Sequence, residues 1–89
     1  MKAVVIGESA GFSREAIMAV YPRHKVVVDR YAAQGVVIGI GPFAQGGNMA
    51  IFTTREAAEA FAKEDPFALE GLVKQYTIYD WGDRMLPEG

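Results

Sequence analysis

The segment Asp65-Pro66-Phe67-Ala68-Leu69-Glu70-Gly71 restricts the conformations open to this chain more than any other stretch. An aspartate directly before a proline supplies an N-cap acceptor, and the proline then falls at the first helical position, where its missing N–H is not needed. Gly71 supplies the left-handed residue that ends a helix. The spacing predicts a single-turn helix, followed at once by the apolar Leu72-Val73 that leads into a strand running to Trp81.

The remaining punctuation divides the chain in the same way. Lys2 to Gly7 is a short, β-branched run that reads as a buried strand, ended by Gly7 and the loop Glu8-Ser9-Ala10-Gly11. Ser13 can cap a short helix through Ile17, Met18 and Val20, which Pro22 interrupts, kinks or restarts. Pro22 to Gln34 keeps a helical pattern, with Gly35 as its C-cap. Val36 to Ile40 and Asn48 to Phe52 read as strands joined across a turn at Gly41–Gly47. Thr53-Thr54-Arg55-Glu56 matches a capping box with Thr53 as cap. The helix after it would bury Ala57, Ala58, Phe61 and Ala62 and pair Glu59 with Lys63 on its wet face. The order is β-α-β-β-α-β, which predicts an α+β, ferredoxin-like fold: a four-stranded antiparallel sheet with helices on one face.

That arrangement leaves a sheet face without helices. The last strand turns Tyr76 and Ile78 to one side and Thr77, Tyr79 and Trp81 to the other, so apolar residues lie on both faces. A second copy packed sheet to sheet would cover the bare face, and a homodimer is expected.

Composition narrows the classes of function. With 89 residues, 51% apolar and 22% charged, the chain makes one folded domain, expected over residues 1–82 with a short tail at 83–89. A net charge of −2 and a pI near 5.3 carry no basic footprint for nucleic acid or an anionic membrane. The absence of cysteine excludes disulfides, thiolate metal ligands and a thiol nucleophile. No run approaches the ~20 apolar residues of a membrane span, the N-terminal apolar run is too short for a signal peptide, and a cytoplasmic location is expected.

One histidine is present, His24. It shares a helical stripe with Val27, Val28 and Tyr31, while Lys25 and Asp29 form an i,i+4 pair toward water. Two readings of it stand: a structural histidine, or a general acid–base whose tautomer is fixed by a carboxylate. Asp65 is the carboxylate best placed, because a capping aspartate has a second oxygen and can accept from a backbone N–H and an imidazole together. His24 and Asp65 are therefore the candidate catalytic pair. Val27, Tyr31, Gly41, Pro42, Phe43 and Phe67 are the expected ligand contacts. Tyr21, Tyr31, Phe43, Phe52, Phe61 and Phe67 are read as core, and Glu8, Asp80, Asp83 and Glu88 as solvated charges. A lone histidine with scattered carboxylates lacks the spacing of a zinc site, so no metal is expected. Gly39-Ile40-Gly41-Pro42-Phe43-Ala44 satisfies a dinucleotide fingerprint formally, yet a proline, a Gly-Gly pair and a strand follow where a helix should open. No nucleophile elbow, phosphate-binding loop or RNA-recognition pattern is present.

At these residues the chain resembles the YciI (YCII-related) family over nearly its whole length. His24 matches the histidine at the start of that family's first main helix. Gly35 and Gly41-Pro42 match its helix-end glycine and Gly-Pro turn, and Asp65-Pro66-Phe67 with Gly71-Leu72 and Trp81 matches its signature. The resemblance implies a ferredoxin-like dimer of the α/β-barrel kind, with a cleft beside the His–Asp couple. It also implies lyase- or isomerase-type chemistry, such as dehydrochlorination of aromatic catabolites. The Ser13–Tyr21 segment departs from the family pattern and is expected to reshape the cleft entrance. Two functions are carried forward. One is an enzyme using His24 and Asp65 for proton transfer on a small metabolite without metal or organic cofactor; the other is a non-catalytic dimeric module that binds a metabolite or a protein. A His24–Asp65 contact inside a cleft favours the first.

Overall fold

The computed structural model describes residues 1–84. In chain order it contains β1 (Lys2–Ser9), α1 (Arg14–Ala33), β2 (Val37–Pro42), β3 (Asn48–Phe52), α2 (Arg55–Glu64), α3 (Pro66–Leu69) and β4 (Val73–Trp81). The four strands form one antiparallel sheet in the order β2-β3-β1-β4. This is the ferredoxin-like α+β fold, with the helices packed on one face of the sheet.

The sheet register fixes which residues meet the helices. Ala3, Val5 and Gly7 of β1 stand opposite Phe52, Ala50 and Asn48 of β3. On the other side Val5 and Gly7 pair with Ile78 and Tyr76 of β4. Because side chains alternate along a strand, this row faces the helices, and Ala3, Val5, Ala50 and Phe52 are all buried there. The intervening row of Val4, Ile6, Met49 and Ile51 lies on the face without helices, together with Tyr79 and Trp81, which are 56% and 42% exposed.

Helix α1 departs from the sequence expectation. It runs unbroken from Arg14 to Ala33 with Pro22 inside it, instead of stopping or restarting there. Val20, His24 and Tyr31 share its buried side, so packing on the sheet holds both halves in line. Pro22 and Met18 are exposed, and water can serve the Met18 carbonyl that lacks a proline N–H partner. Both ends are capped. The Ser13 hydroxyl accepts from Ala16 N–H at 3.2 Å. At the other end Gly35, with φ 74°, lets its own N–H and that of Val36 bond the carbonyls of Ala32 and Tyr31, a Schellman closure.

Helix α2 starts one residue later than the capping-box reading. Thr54, not Thr53, is the cap and accepts from Ala57 N–H at 3.1 Å. Thr53 N–H bonds the Val36 carbonyl and so extends the strand ladder. Ala58 and Phe61 are buried as expected. Glu59 pairs backward with Arg55 at 2.9 Å, not forward with Lys63; the arginine fork also reaches Asp80 at 3.3 Å. The chain does not loosen immediately after β4, because Asp83 accepts from Lys2 Nζ at 2.5 Å. Residues 85–89 of the expected tail, Glu88 among them, lie outside the described residues.

Candidate active site

The turn between α2 and β4 is built as its sequence requires. Asp65 has extended backbone angles and caps α3, Pro66 opens the helix, and the Asp65 carboxylate accepts from Phe67 N–H at 3.1 Å. Gly71, with φ 79°, allows its own N–H and that of Leu72 to close on Ala68 and Phe67. The local rules thereby place a carboxylate beneath α1, with 0% of its surface exposed.

His24 comes down on that carboxylate from α1. Its Nδ1 lies 2.7 Å from Asp65 Oδ1, a buried contact between residues 41 positions apart in sequence. The ring is 8% exposed and stacks on Phe67 with centroids 4.3 Å apart, while Phe61 meets it edge-on at 6.2 Å. With Nδ1 committed to Asp65, Nε2 is the nitrogen left for a ligand. Its neutral form is fixed as the Nδ1–H tautomer, which leaves the Nε2 lone pair free.

A third side chain completes the cluster. Tyr76 of β4 donates its hydroxyl to Asp65 Oδ2, and Asn48 of β3 lies beside its ring across Gly7. Burial, and then the carboxylate beside it, push the Tyr76 phenol far above its usual range, so it stays protonated at any ordinary pH. Gly7 makes the space for this corner. A β-carbon there would lie 2.7 Å from the Tyr76 ring and closer still to Asn48 Oδ1. Sequence reading missed Tyr76 and Asn48. The available signal was a glycine inside an apolar strand, which marks a close approach from a neighbouring strand.

His24 and Tyr76 face a cavity of about 410 Å³ between α1, from Ile17 to Asp29, and the sheet. That volume falls within the range for small-molecule sites. Ile17, Met18, Tyr21 and Val28 of α1 form its roof, and Ile40, Ala50 and Gly47 contribute to its floor. The Ser13–Tyr21 segment thus forms part of the cavity wall. Lys25 and Asp29 also line it, bonded to each other at 2.6 Å. The surroundings are mostly apolar, with Ser9, Tyr21, His24, Asn48 and Tyr76 as the polar side chains besides that pair.

Of the expected ligand contacts, Gly41, Pro42 and Phe67 line the cavity and Val27, Tyr31 and Phe43 do not. Val27 packs on the core. Tyr31 lies farther along α1, where its hydroxyl bonds Glu64 at 3.0 Å. Phe43 sits on the hairpin turn, 41% exposed, and Tyr21 is equally exposed at the cavity, so neither is a core aromatic. The Gly39–Ala44 stretch lies in β2 and its turn, where no helix opens to receive a phosphate. Among the described residues no group of three or more histidine or acidic side chains is gathered to hold a metal ion.

A ferredoxin-like sheet with a histidine–aspartate pair at a helix-covered cavity defines the class of this protein. The model of the YCII-related domain matches residues 1–82, and the chain belongs to that family. No curated protein matches it. Among solved structures it is similar to TftG, the 5-chloro-2-hydroxyhydroquinone dehydrochlorinase of Burkholderia phenoliruptrix AC1100, in complex with 2,5-dihydroxybenzoquinone. The TM-score is 0.76, the alignment covers 91% of this chain and 93% of that chain, and sequence identity is 17%. At that identity the likeness is one of fold.

Proposed function

We propose that this chain is a small homodimeric enzyme that moves protons on a small metabolite with a planar, unsaturated or aromatic ring, in a lyase- or isomerase-type reaction. The observation that carries the reading is the 2.7 Å contact between His24 Nδ1 and Asp65 at the wall of an apolar cavity. Asp65 holds the imidazole in the tautomer whose Nε2 can accept a proton. In an elimination, Nε2 takes a proton from the substrate and the electron pair released forms a double bond as the leaving group departs from the adjacent atom. The imidazolium then returns its proton to the leaving group or to water. In an isomerisation the same proton goes back to a different atom of the substrate. Such a sequence draws on side chains alone, and no metal or organic cofactor is assigned a role. The stacked Phe67 and the exposed Tyr21 suit a flat ring beside the base. The TftG structure holds a quinone, a ligand of that shape.

The homodimer rests on the helix-free sheet face, where Val4, Ile6, Met49, Ile51, Tyr79 and Trp81 present one apolar surface. Residues 1–82 form a single domain in this reading, acting in the cytoplasm. Among the described residues no helix is long and apolar enough to cross a membrane.

A thermal-shift screen of metabolites, followed by turnover assays on each hit, tests the enzyme reading; a ligand bound only by the folded state raises its melting temperature. The expected result is a planar hit that the parent converts and that His24→Asn binds without converting. Turnover by His24→Asn equal to the parent sinks the proposal. Hits that the parent binds and never converts point instead to the binding module. Light scattering at micromolar concentration should give twice the chain mass, with Trp81→Ala shifted toward the monomer.

A further inference from the structure

We infer that Tyr76, seated over the bare backbone of Gly7, is a positioning residue that governs how strongly Asp65 grips the His24 imidazole. The inference deepens the proposed acid–base reading and rests on the same His24–Asp65 pair. Its argument begins with the acceptor. Asp65 is fully buried and receives donors at both oxygens: Phe67 N–H and His24 Nδ1 at Oδ1, and the Tyr76 hydroxyl at Oδ2. Around a buried carboxylate these donors compete for the same negative charge, so each one weakens the pull on the others.

Tyr76 is the donor that can be tuned without disturbing the cap. It comes from β4, not from the α3 turn, and approaches the carboxylate from the sheet side. The chain Tyr76 to Asp65 to His24 therefore crosses from β4 through the α3 turn to α1. Gly7 is required beneath it, since any side chain there would collide with both Tyr76 and Asn48. Tyr76 also bounds the cavity, so a ligand hydroxyl or carbonyl that engages the phenol would alter the grip on the base.

The His24 ring N–H proton reports that grip directly. The chain has a single histidine, so its ring N–H proton can be assigned without ambiguity in ligand-free protein labelled with ¹⁵N-histidine. Removing the competing donor in Tyr76→Phe should strengthen the bond from Nδ1 to Asp65 and move the proton to lower field. Replacing Tyr76 with 3-fluorotyrosine, a more acidic phenol of nearly the same size, should reverse the sign and move it to higher field. A residue that merely fills space would give no such sign-reversing pair of shifts. An unchanged resonance in Tyr76→Phe, or a shift to lower field with 3-fluorotyrosine, overturns the inference. Should Tyr76→Phe not fold, the fluorinated protein decides alone. Because no ligand is needed, the outcome is separable from failure of the enzyme reading.

Discussion

Helix α1 covers two regions of one sheet face and packs them differently. Toward its C-terminal end, Tyr31 meets Phe52 and Phe61 edge-on, with Phe52 and Phe61 5.1 Å apart, and this region is closed. Toward its N-terminal end, the same helix face stands over the 410 Å³ cavity. The sheet beneath explains the contrast. The row that carries Phe52 at the closed end carries Ala50 and Gly7 toward the other, with too little volume to meet the helix. His24 stands at the junction, stacked on Phe67 from one cluster and edge-on to Phe61 of the other. Small sheet residues thus open a cavity without any loss of helix, and His24 at its edge is anchored on Asp65 and Phe67.

Truncation on the closed side should have the largest effect on stability. Phe52→Ala removes a fully buried ring and should cost about 3–5 kcal/mol in urea titration. A loss under about 1 kcal/mol, the scale of a change to partly exposed surface, would erase the distinction between the two regions.

At the junction the effect should be intermediate. Asp65→Ala removes a cap and strands the Tyr76 hydroxyl and the imidazole N–H, for a loss of about 2–3 kcal/mol. Stability equal to the parent would mean that Asp65 neither caps nor anchors.

On the open side the effect should be smallest. Met18→Ala, on the cavity roof and 51% exposed, should change stability by no more than about 0.5 kcal/mol while altering which ligands raise the melting temperature. A large stability loss there would show that the roof is structural and not a wall for ligands.

Legibility in the sequence follows the range of the interactions involved. The strand and helix order, the Asp65-Pro66 cap, and the Gly35 and Gly71 closures all depend on residues a few positions apart, and each is present in the fold. The contact between His24 and Asp65 spans 41 positions, yet a lone histidine and a capping carboxylate with a spare oxygen pointed to it before the family resemblance did. The misassigned contacts are those set by what lies across from a residue. Tyr31 shares the stripe of His24, but two turns along the helix it stands over Phe52 and Glu64 instead of the cavity. Tyr76 and Asn48 lie on different strands and meet only through the register of both with β1, where each pairs with Gly7. Thr53 and Thr54 are equivalent as local capping signals, and only the Thr53 bond to Val36 decides between them. Pro22 is a local breaker overridden by tertiary packing on both sides of it.

That proline has a kinetic meaning as well. It stands between Met18 and Tyr21 of the cavity wall and His24, within the stretch of α1 that borders the cavity. With no N–H at Pro22, the two halves of the helix are joined by one backbone hydrogen bond fewer than an ordinary helix would have. Fraying that starts at Ser13 therefore meets a natural stopping point, and the first two turns can loosen while the half bearing His24 keeps its register. Local opening of α1 is thereby biased toward its first two turns at the cavity, while the turn bearing His24 stays bonded to Asp65.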